Sequence, residues 1–296
     1  MTNKITVDVA LASYNGEKYI SEQIESILNQ SHKNIRLYIS DDGSTDNTVT
    51  IIKRYIEQDH RVHLVNTERV GGVINNFEVA LKATSADYIM LSDQDDYWEY
   101  DKIEQQLSAM LIEESNYKAK PILGYTDLEL VDEKLKPISN SFYASAKLNP
   151  LRNLNYCNLS WMGSVMGCTI IMNRLALDNA LPFNKQIIMH DHWLAMKTLE
   201  VGHLFYIDKA FIQYRQHSRN VSGGLGFRKK LINKILDVNR YKNMVKRTKI
   251  VSSMHGLDSF YKRLKFSKNI LLGFKHCETI KYPVLFLFFF ITMGGK

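Results

Sequence analysis

Short apolar runs that break off at acidic or small polar residues alternate, through the first 120 residues, with stretches whose apolar positions recur at helical spacing. Ile5 to Ala12, Ile35 to Ser40, Val62 to Val65 and residues 87–92 read as strands. Ile20, Ile24, Ile27 and Leu28 share one face of a helix over residues 17–30, and Val49, Ile52, Tyr55 and Ile56 share one over 46–57. Gly71-Gly72 opens a third helix carrying Phe77, Ala80 and Leu81, and a fourth runs from about Asp101 to Ser115. This alternation predicts an α/β fold with a Rossmann-like, mostly parallel central sheet flanked by helices. A single Rossmann-like half is expected, because Ser13-Tyr14-Asn15-Gly16 lacks the G-x-G-x-x-G of a dinucleotide site.

After Pro121 the pattern changes. Ile122 to Val131 predicts a longer strand, and residues 137–160, polar and broken by Asn and Pro, predict a loop-rich acceptor region. Gly163 to Asn173 is apolar and strand-like, residues 191–200 form a short helix, His203 to Ile207 a further strand, and residues from 226 onward basic helices.

The first three long strands each end in polar residues: Ser13-Tyr14-Asn15-Gly16, then Asp41-Asp42-Gly43-Ser44-Thr45-Asp46, then Ser92-Asp93-Gln94-Asp95-Asp96. Ligands of open α/β sheets collect at the carboxyl ends of strands, so one nucleotide lying there would touch all three loops. Three carboxylates within four positions repel one another unless a cation sits among them, and oxygen ligands suit Mg²⁺ or Mn²⁺. A zinc site from His190, His192 and His217 has neither the cysteines nor the His-x-x-x-His spacing to support it.

Composition and charge add a tail. The chain has 296 residues, 45% of them hydrophobic, enough for a sizeable core. Its net charge of +7 is uneven: residues 228–281 hold 15 Lys and Arg against Asp237, Asp258 and Glu278, or +12. An uncharged run from Pro283 to Ile291 follows, shorter than the roughly 20 residues a membrane span needs. Basic charge beside an apolar plug predicts an interfacial anchor on an anionic membrane surface; a helix packed on the core or on a second copy is the competing reading. Nucleic acid fits less well, since no recognised module interleaves the basic residues with stacking aromatics. Cys157, Cys168 and Cys277 are odd in number and read as reduced thiols of a cytosolic protein. Met1-Thr2-Asn3-Lys4 enters a strand at once, with no signal-peptide pattern.

Five segments, in order, resemble the family 2 glycosyltransferases of the GT-A fold: Ala12 to Tyr19, Asp41 to Thr48, Ser92 to Trp98, His190 to Trp193 and Tyr214 to Asn220. The forms Asp93-Gln94-Asp95-Asp96-Tyr97-Trp98 and Tyr214-Arg215-Gln216-His217 are most similar to the rhamnosyltransferase-like branch that builds bacterial surface polysaccharides. The resemblance implies a catalytic domain over residues 1–224, with a nucleotide-binding half (1–120) and an acceptor-binding half (121–224), and a basic tail over 225–296. It implies an inverting, metal-dependent enzyme at the inner face of the cell membrane. The donor would be a dTDP- or UDP-sugar, with L-rhamnose a candidate sugar, and the acceptor a glycan or lipid-linked oligosaccharide.

Residue roles follow from the same resemblance. Asp95 and His217 would hold the metal, with Asp93 on the ribose or on the metal through water, and Asp96 and Gln94 near the donor. Ala12, Ser13, Tyr14, Asn15 and Asp41 or Asp42 would take the base and ribose, and Arg215 a phosphate or a carboxylate. Asp191 is the expected general base, and Trp193 an acceptor platform or a core residue. The rival enzyme class, a nucleotidyltransferase making nucleotide sugars, would want a Gly-rich basic first loop that this chain lacks.

Overall fold

The structure, a computed structural model, describes residues 4–217, 252–253, 256–257 and 259–273. Strand β1 (Val7–Ser13) is buried along its whole length. It pairs in parallel with β2 (Ile35–Asp41) on one side and β4 (Tyr88–Ser92) on the other, and β3 (Val62–Asn66) extends the sheet beyond β2. Helices α1 (Ile20–Leu28), α2 (Thr48–Gln58), α3 (Val73–Ala83) and α4 (Lys102–Asn116) alternate with these strands as their periodicity predicts. Strand alternation sends Val7, Val9 and Leu11 into one apolar layer with Ile20, Ile24 and Leu107, and Ala10 and Ala12 into a second with Phe77, Leu81 and Leu194.

The remaining elements are β5 (Tyr97–Trp98), β6 (Ile122–Val131), β7 (Pro137–Ser139), α5 (Phe142–Ala146), α6 (Tyr156–Met162), β8 (Ile171–Asn173), α7 (Arg174–Ala180), α8 (His190–Val201), β9 (His203–Arg215) and α9 (Phe260–Gly273). The sheet order is β3-β2-β1-β4-β8-β6-β9-β5, with β7 on β6. β8 runs antiparallel to both β4 and β6, β7 antiparallel to β6 and β5 antiparallel to β9, so the sheet is mixed, with parallel pairing across β3, β2, β1 and β4 and again between β6 and β9. Hydrophobic periodicity reports which face a residue takes, not the direction of its neighbour, and the expectation of a mostly parallel sheet fails there.

Local expectations after Pro121 change in the same way. Only the last three residues of the apolar stretch 163–173 form a strand; the preceding Gly167–Thr169 is a 3-10 turn. Asn173 then caps α7, its side chain accepting from the Ala176 amide, a helix that periodicity did not mark. Residues 137–160 contain two short helices and a 3-10 turn, and β9 continues well past Ile207 to Arg215. The sheet centre is tied by Asp8, fully buried, which accepts from Arg36 through both carboxylate oxygens (2.8 and 3.1 Å) and from the amides of Ser85 and Ala86.

The apolar run Pro283 to Ile291, the Ser222-Gly223-Gly224 segment, Cys277 and most of the basic tail lie outside the described residues. Helix α9 packs against α6. No described helix is long and apolar enough to cross a membrane.

Candidate active site

The carboxyl ends of β1, β2 and β4 open into one cavity of about 1430 Å³, closed on the far side by residues 163–167 and by the start of α8. Ala12, Ser13, Tyr14, Asn15, Asp42, Asp93, Gln94, Asp95, Asp191 and His217 all line it. Thus the structure brings the five motif segments to one place although 200 residues of chain separate the first from the last.

The first loop is fastened to the other two. The Gln94 amide pairs with both backbone groups of Tyr14, accepting from its N–H (2.8 Å) and donating to its carbonyl (3.0 Å). This contact needs glycine next door, because a Cβ on Gly16 would fall 2.3 Å from Gln94 Oε1. Asp41 is fully buried and does not reach the cavity; it accepts from the Ser13 hydroxyl (2.8 Å) and from the amide and hydroxyl of Ser44 (2.7 and 2.6 Å). Asp42 lines the cavity and accepts from the amides of Val70, Gly71 and Gly72 at 2.6–2.9 Å. Burial pulls the Asp42 carboxyl upward, but these three amides outweigh it and hold it below the usual range. Between the two acids of the motif, only Asp42 faces the cavity.

At the acidic loop the chain bends between β4 and β5. Asp93 and Asp95 face the cavity, whereas Asp96 turns inward, fully buried. One Asp96 oxygen accepts from the Arg215 amide (3.3 Å); the other has no hydrogen-bond partner and lies near the Cys168 thiol and the Lys102 ammonium. Its expected donor contact is therefore corrected: the Asp96 side chain turns away from the face that Asp93 and Asp95 share and into the core. Burial, followed by the charges of Asp95 and Asp191, pushes the Asp93 carboxyl up to about 7. His217 Nε2 lies 2.8 Å from Asp95 Oδ2, and its ring stacks on Tyr19 with centroids 5.2 Å apart.

The carboxylates of Asp93 and Asp95 and the imidazole of His217 all face the cavity and are donors of the kind Mn²⁺ or Mg²⁺ takes, and the raised Asp93 carboxyl marks a place where positive charge is wanted. Among the described residues, the cluster whose ligand atoms lie within 4.8 Å of one another is Asp93, Asp96 and Cys168. It fits less well: burial pushes the Cys168 thiol well above its ordinary range, and a protonated thiol is a poor ligand for a hard ion.

Asp191 sits in the first turn of α8, lines the cavity and accepts from the His192 amide at 2.6 Å. Two expected residues do not reach the cavity. The Arg215 guanidinium is 2% exposed and donates to Glu22, to the Asp95 carbonyl (3.0 Å) and to the Glu133 carbonyl (2.7 Å). It braces the acidic loop from behind and is not presented to a phosphate. Trp193 donates its indole N–H to the Ala180 carbonyl (2.9 Å) and packs, half-buried, against the second apolar layer, so its expected place as an acceptor platform is corrected.

The sequence reading missed Arg69, whose guanidinium lies 5.0 Å over the Tyr14 ring beside Asp42, and Asn76 on α3. A basic residue shortly before the Gly71-Gly72 helix opening was the available signal for the first; nothing in the pattern marks the second.

Mixed sheet, strand-end cavity and acidic loop together define a GT-A glycosyltransferase. The structure matches the Staphylococcus aureus TarS 1–349 complex with UDP-GlcNAc with a TM-score of 0.60 at 18% identity, over 93% of this chain and 74% of that one. It matches the mannosyltransferase PcManGT from Pyrobaculum calidifontis, solved with GDP-Man and Mn²⁺, with a TM-score of 0.56 at 15% identity over 90% and 72%. The sequence model described as Glycosyl transferase family 2 matches residues 8–157, and the chain belongs to that family. Similar proteins include the dTDP-rhamnosyl transferase RfbG of Shigella flexneri, 29% identical over 74% of this chain and 76% of its own. Another is the UDP-Glc:alpha-D-GlcNAc-diphosphoundecaprenol beta-1,3-glucosyltransferase WfaP of Escherichia coli, 29% identical over 92% and 95%. The protein is thus a glycosyltransferase.

Proposed function

We propose that this protein is an inverting, metal-dependent transferase that moves a sugar from a dTDP- or UDP-sugar to a lipid-linked glycan at the inner membrane face. The observation that carries the reading is the convergence of Asp93, Asp95, His217 and Asp191 on one cavity. Asp95 and His217 would hold Mn²⁺ or Mg²⁺, with Asp93 beside them. When bound, the ion supplies positive charge to the leaving diphosphate. Asp42, with one acceptor site left beyond its three amides, takes the N3–H of a uracil or thymine ring, which both bases share. Tyr14 and Arg69 cover the base, and Ser13 and Asn15 shape the loop beneath it. Asp191 accepts the proton of the acceptor hydroxyl as that oxygen attacks the anomeric carbon from the side opposite the diphosphate.

Relatives named for dTDP-rhamnosyl and for UDP-Glc transfer support both nucleotides, and favour L-rhamnose and glucose as the sugars to test first. WfaP is named for a GlcNAc-diphosphoundecaprenol acceptor, which supports a lipid-linked acceptor here. The +12 of residues 228–281 supports peripheral attachment to an anionic membrane. The test is turnover of a panel of UDP-, dTDP- and GDP-sugars with Mn²⁺ or Mg²⁺. Asp95→Ala is expected to abolish transfer and metal-dependent nucleotide binding in a folded protein. Full activity in excess EDTA would overturn the metal assignment.

A further inference from the structure

A pair of opposite charges meets across the opening of the cavity. Lys18, between the first loop and α1, donates its ammonium to the carboxylate of Glu133, which stands 115 positions later in the turn between β6 and β7. Both residues line the cavity, and their side chains are 62% and 50% exposed. The backbone on either side is held. The amides of Tyr19 and Ile20 donate to the Gly16 carbonyl (both 3.0 Å), and the Glu17 amide donates to the Asp46 carboxylate (3.2 Å). The Glu133 carbonyl accepts from Arg215 (2.7 Å), and the Asp132 carboxylate closes the turn by accepting from the amides of Lys134 and Lys136 (2.8 and 2.9 Å). An ion pair this exposed adds little to stability. The pair is therefore a side-chain contact that can be exchanged without moving either loop.

The surroundings name what it is exchanged for. Among the described residues, Lys18 and Arg69 are the lysine and arginine that line the cavity. Arg69 lies over Tyr14 beside Asp42, at the end assigned to the base. Arg215 faces inward and is held there. Lys18 stands at the other end. Its Nζ lies 4.8 Å from the centre of the Tyr19 ring, His217 stacks on that ring at 5.2 Å, and His217 reaches Asp95. A cation at Asp95 and His217 would bring a diphosphate to that end of the cavity, where the flexible four-carbon stem of Lys18 can swing to it. A departing nucleoside diphosphate gains negative charge beyond what one divalent ion neutralises, so a further cation within reach lowers the barrier.

We infer that Glu133 is a stand-in for the diphosphate: it holds Lys18 across the opening of the empty cavity, and the donor's diphosphate displaces it and takes the ammonium. This rests on the glycosyl-transfer reading above. The test is calorimetric titration of UDP and dTDP, with Mn²⁺, into wild type, Lys18→Met, Lys18→Arg and Glu133→Gln, all of which change exposed side chains and are expected to fold. Lys18→Met should bind the diphosphate about tenfold more weakly, the loss of one charge-assisted hydrogen bond, and Lys18→Arg should recover most of that. Glu133→Gln should bind it about threefold more tightly, because the ammonium no longer has to leave a carboxylate. The opposite signs are the signature. A pair that only fastens the two loops would weaken binding when either member is removed, and that result overturns the inference. So does a Lys18→Met protein that binds as wild type does, or a Glu133→Gln protein that binds no more tightly than wild type; in each case the glycosyl-transfer reading stands. A wild type that binds neither diphosphate overturns the dTDP- or UDP-sugar reading itself.

Discussion

Asp93 carries the sharpest consequence at the residue scale. Its carboxyl, ordinarily near 4, is pushed up to about 7 by burial and by Asp95 and Asp191, so the cation-free folded protein holds a proton there that the unfolded chain releases. This contribution to stability is full below the unfolded value and is lost as pH rises through 7. A divalent ion competes with that proton. Saturating Mn²⁺ should therefore raise the melting temperature more at pH 8 than at pH 5.5, and Asp93→Asn should flatten the difference; equal shifts at both pH values would count against a raised carboxyl at the metal. Asp191 is tested differently. Asp191→Asn preserves shape and removes the proton acceptor, so donor affinity should persist while kcat falls by on the order of a hundredfold or more. Wild-type turnover in that variant would move the base elsewhere.

Among elements, the site depends on how firmly β1, β2 and β4 are registered, because their ends carry the three loops. Asp8 is the fastening: it joins Arg36 of β2 and the amides that lead into β4. Removing it leaves two amides unmet and the Arg36 guanidinium with the Ser85 hydroxyl in place of a carboxylate. Since Arg36 keeps about a third of its side-chain exposure, the loss falls below that of a fully buried pair. Asp8→Ala should cost about 2–3 kcal/mol, or roughly 5–10 °C in Tm for a domain of this size, without changing which nucleotide binds. A thermal melt unchanged from wild type would show that the strands hold their register without it. Arg215 plays the corresponding part for the acidic loop, a role no motif could announce: an arginine beside a histidine reads equally well as a phosphate ligand or as a brace.

For the whole molecule, the open question is what the tail does. Its charge and the apolar run Pro283 to Ile291 imply two membrane terms, one electrostatic and one hydrophobic. Only the first weakens with salt, because exposed charges are screened beyond about 8–10 Å at physiological ionic strength. Deleting residues 282–296 should leave protein that binds anionic vesicles at low salt and is released at high salt, as sedimentation with vesicles would reveal. If the shortened protein unfolds, or full-length protein ignores vesicles and forms a stable dimer, the apolar run is a core or interface element.

Sequence alone determined the strand–helix alternation up to Asn116, the acidic strand ends and the order of the motifs, because these depend on local periodicity and on which side chains can end a strand. Tertiary structure decided the rest. Strand direction beyond β4 depends on pairing between distant segments, so the mixed sheet was not legible. Whether Asp41 or Asp42 faces the cavity, and whether Asp96, Arg215 and Trp193 do, turns on one bend or one hydrogen bond. His190 and Phe77 lie 113 positions apart, and only the folded chain stacks their rings 4.0 Å apart in the wall of the cavity.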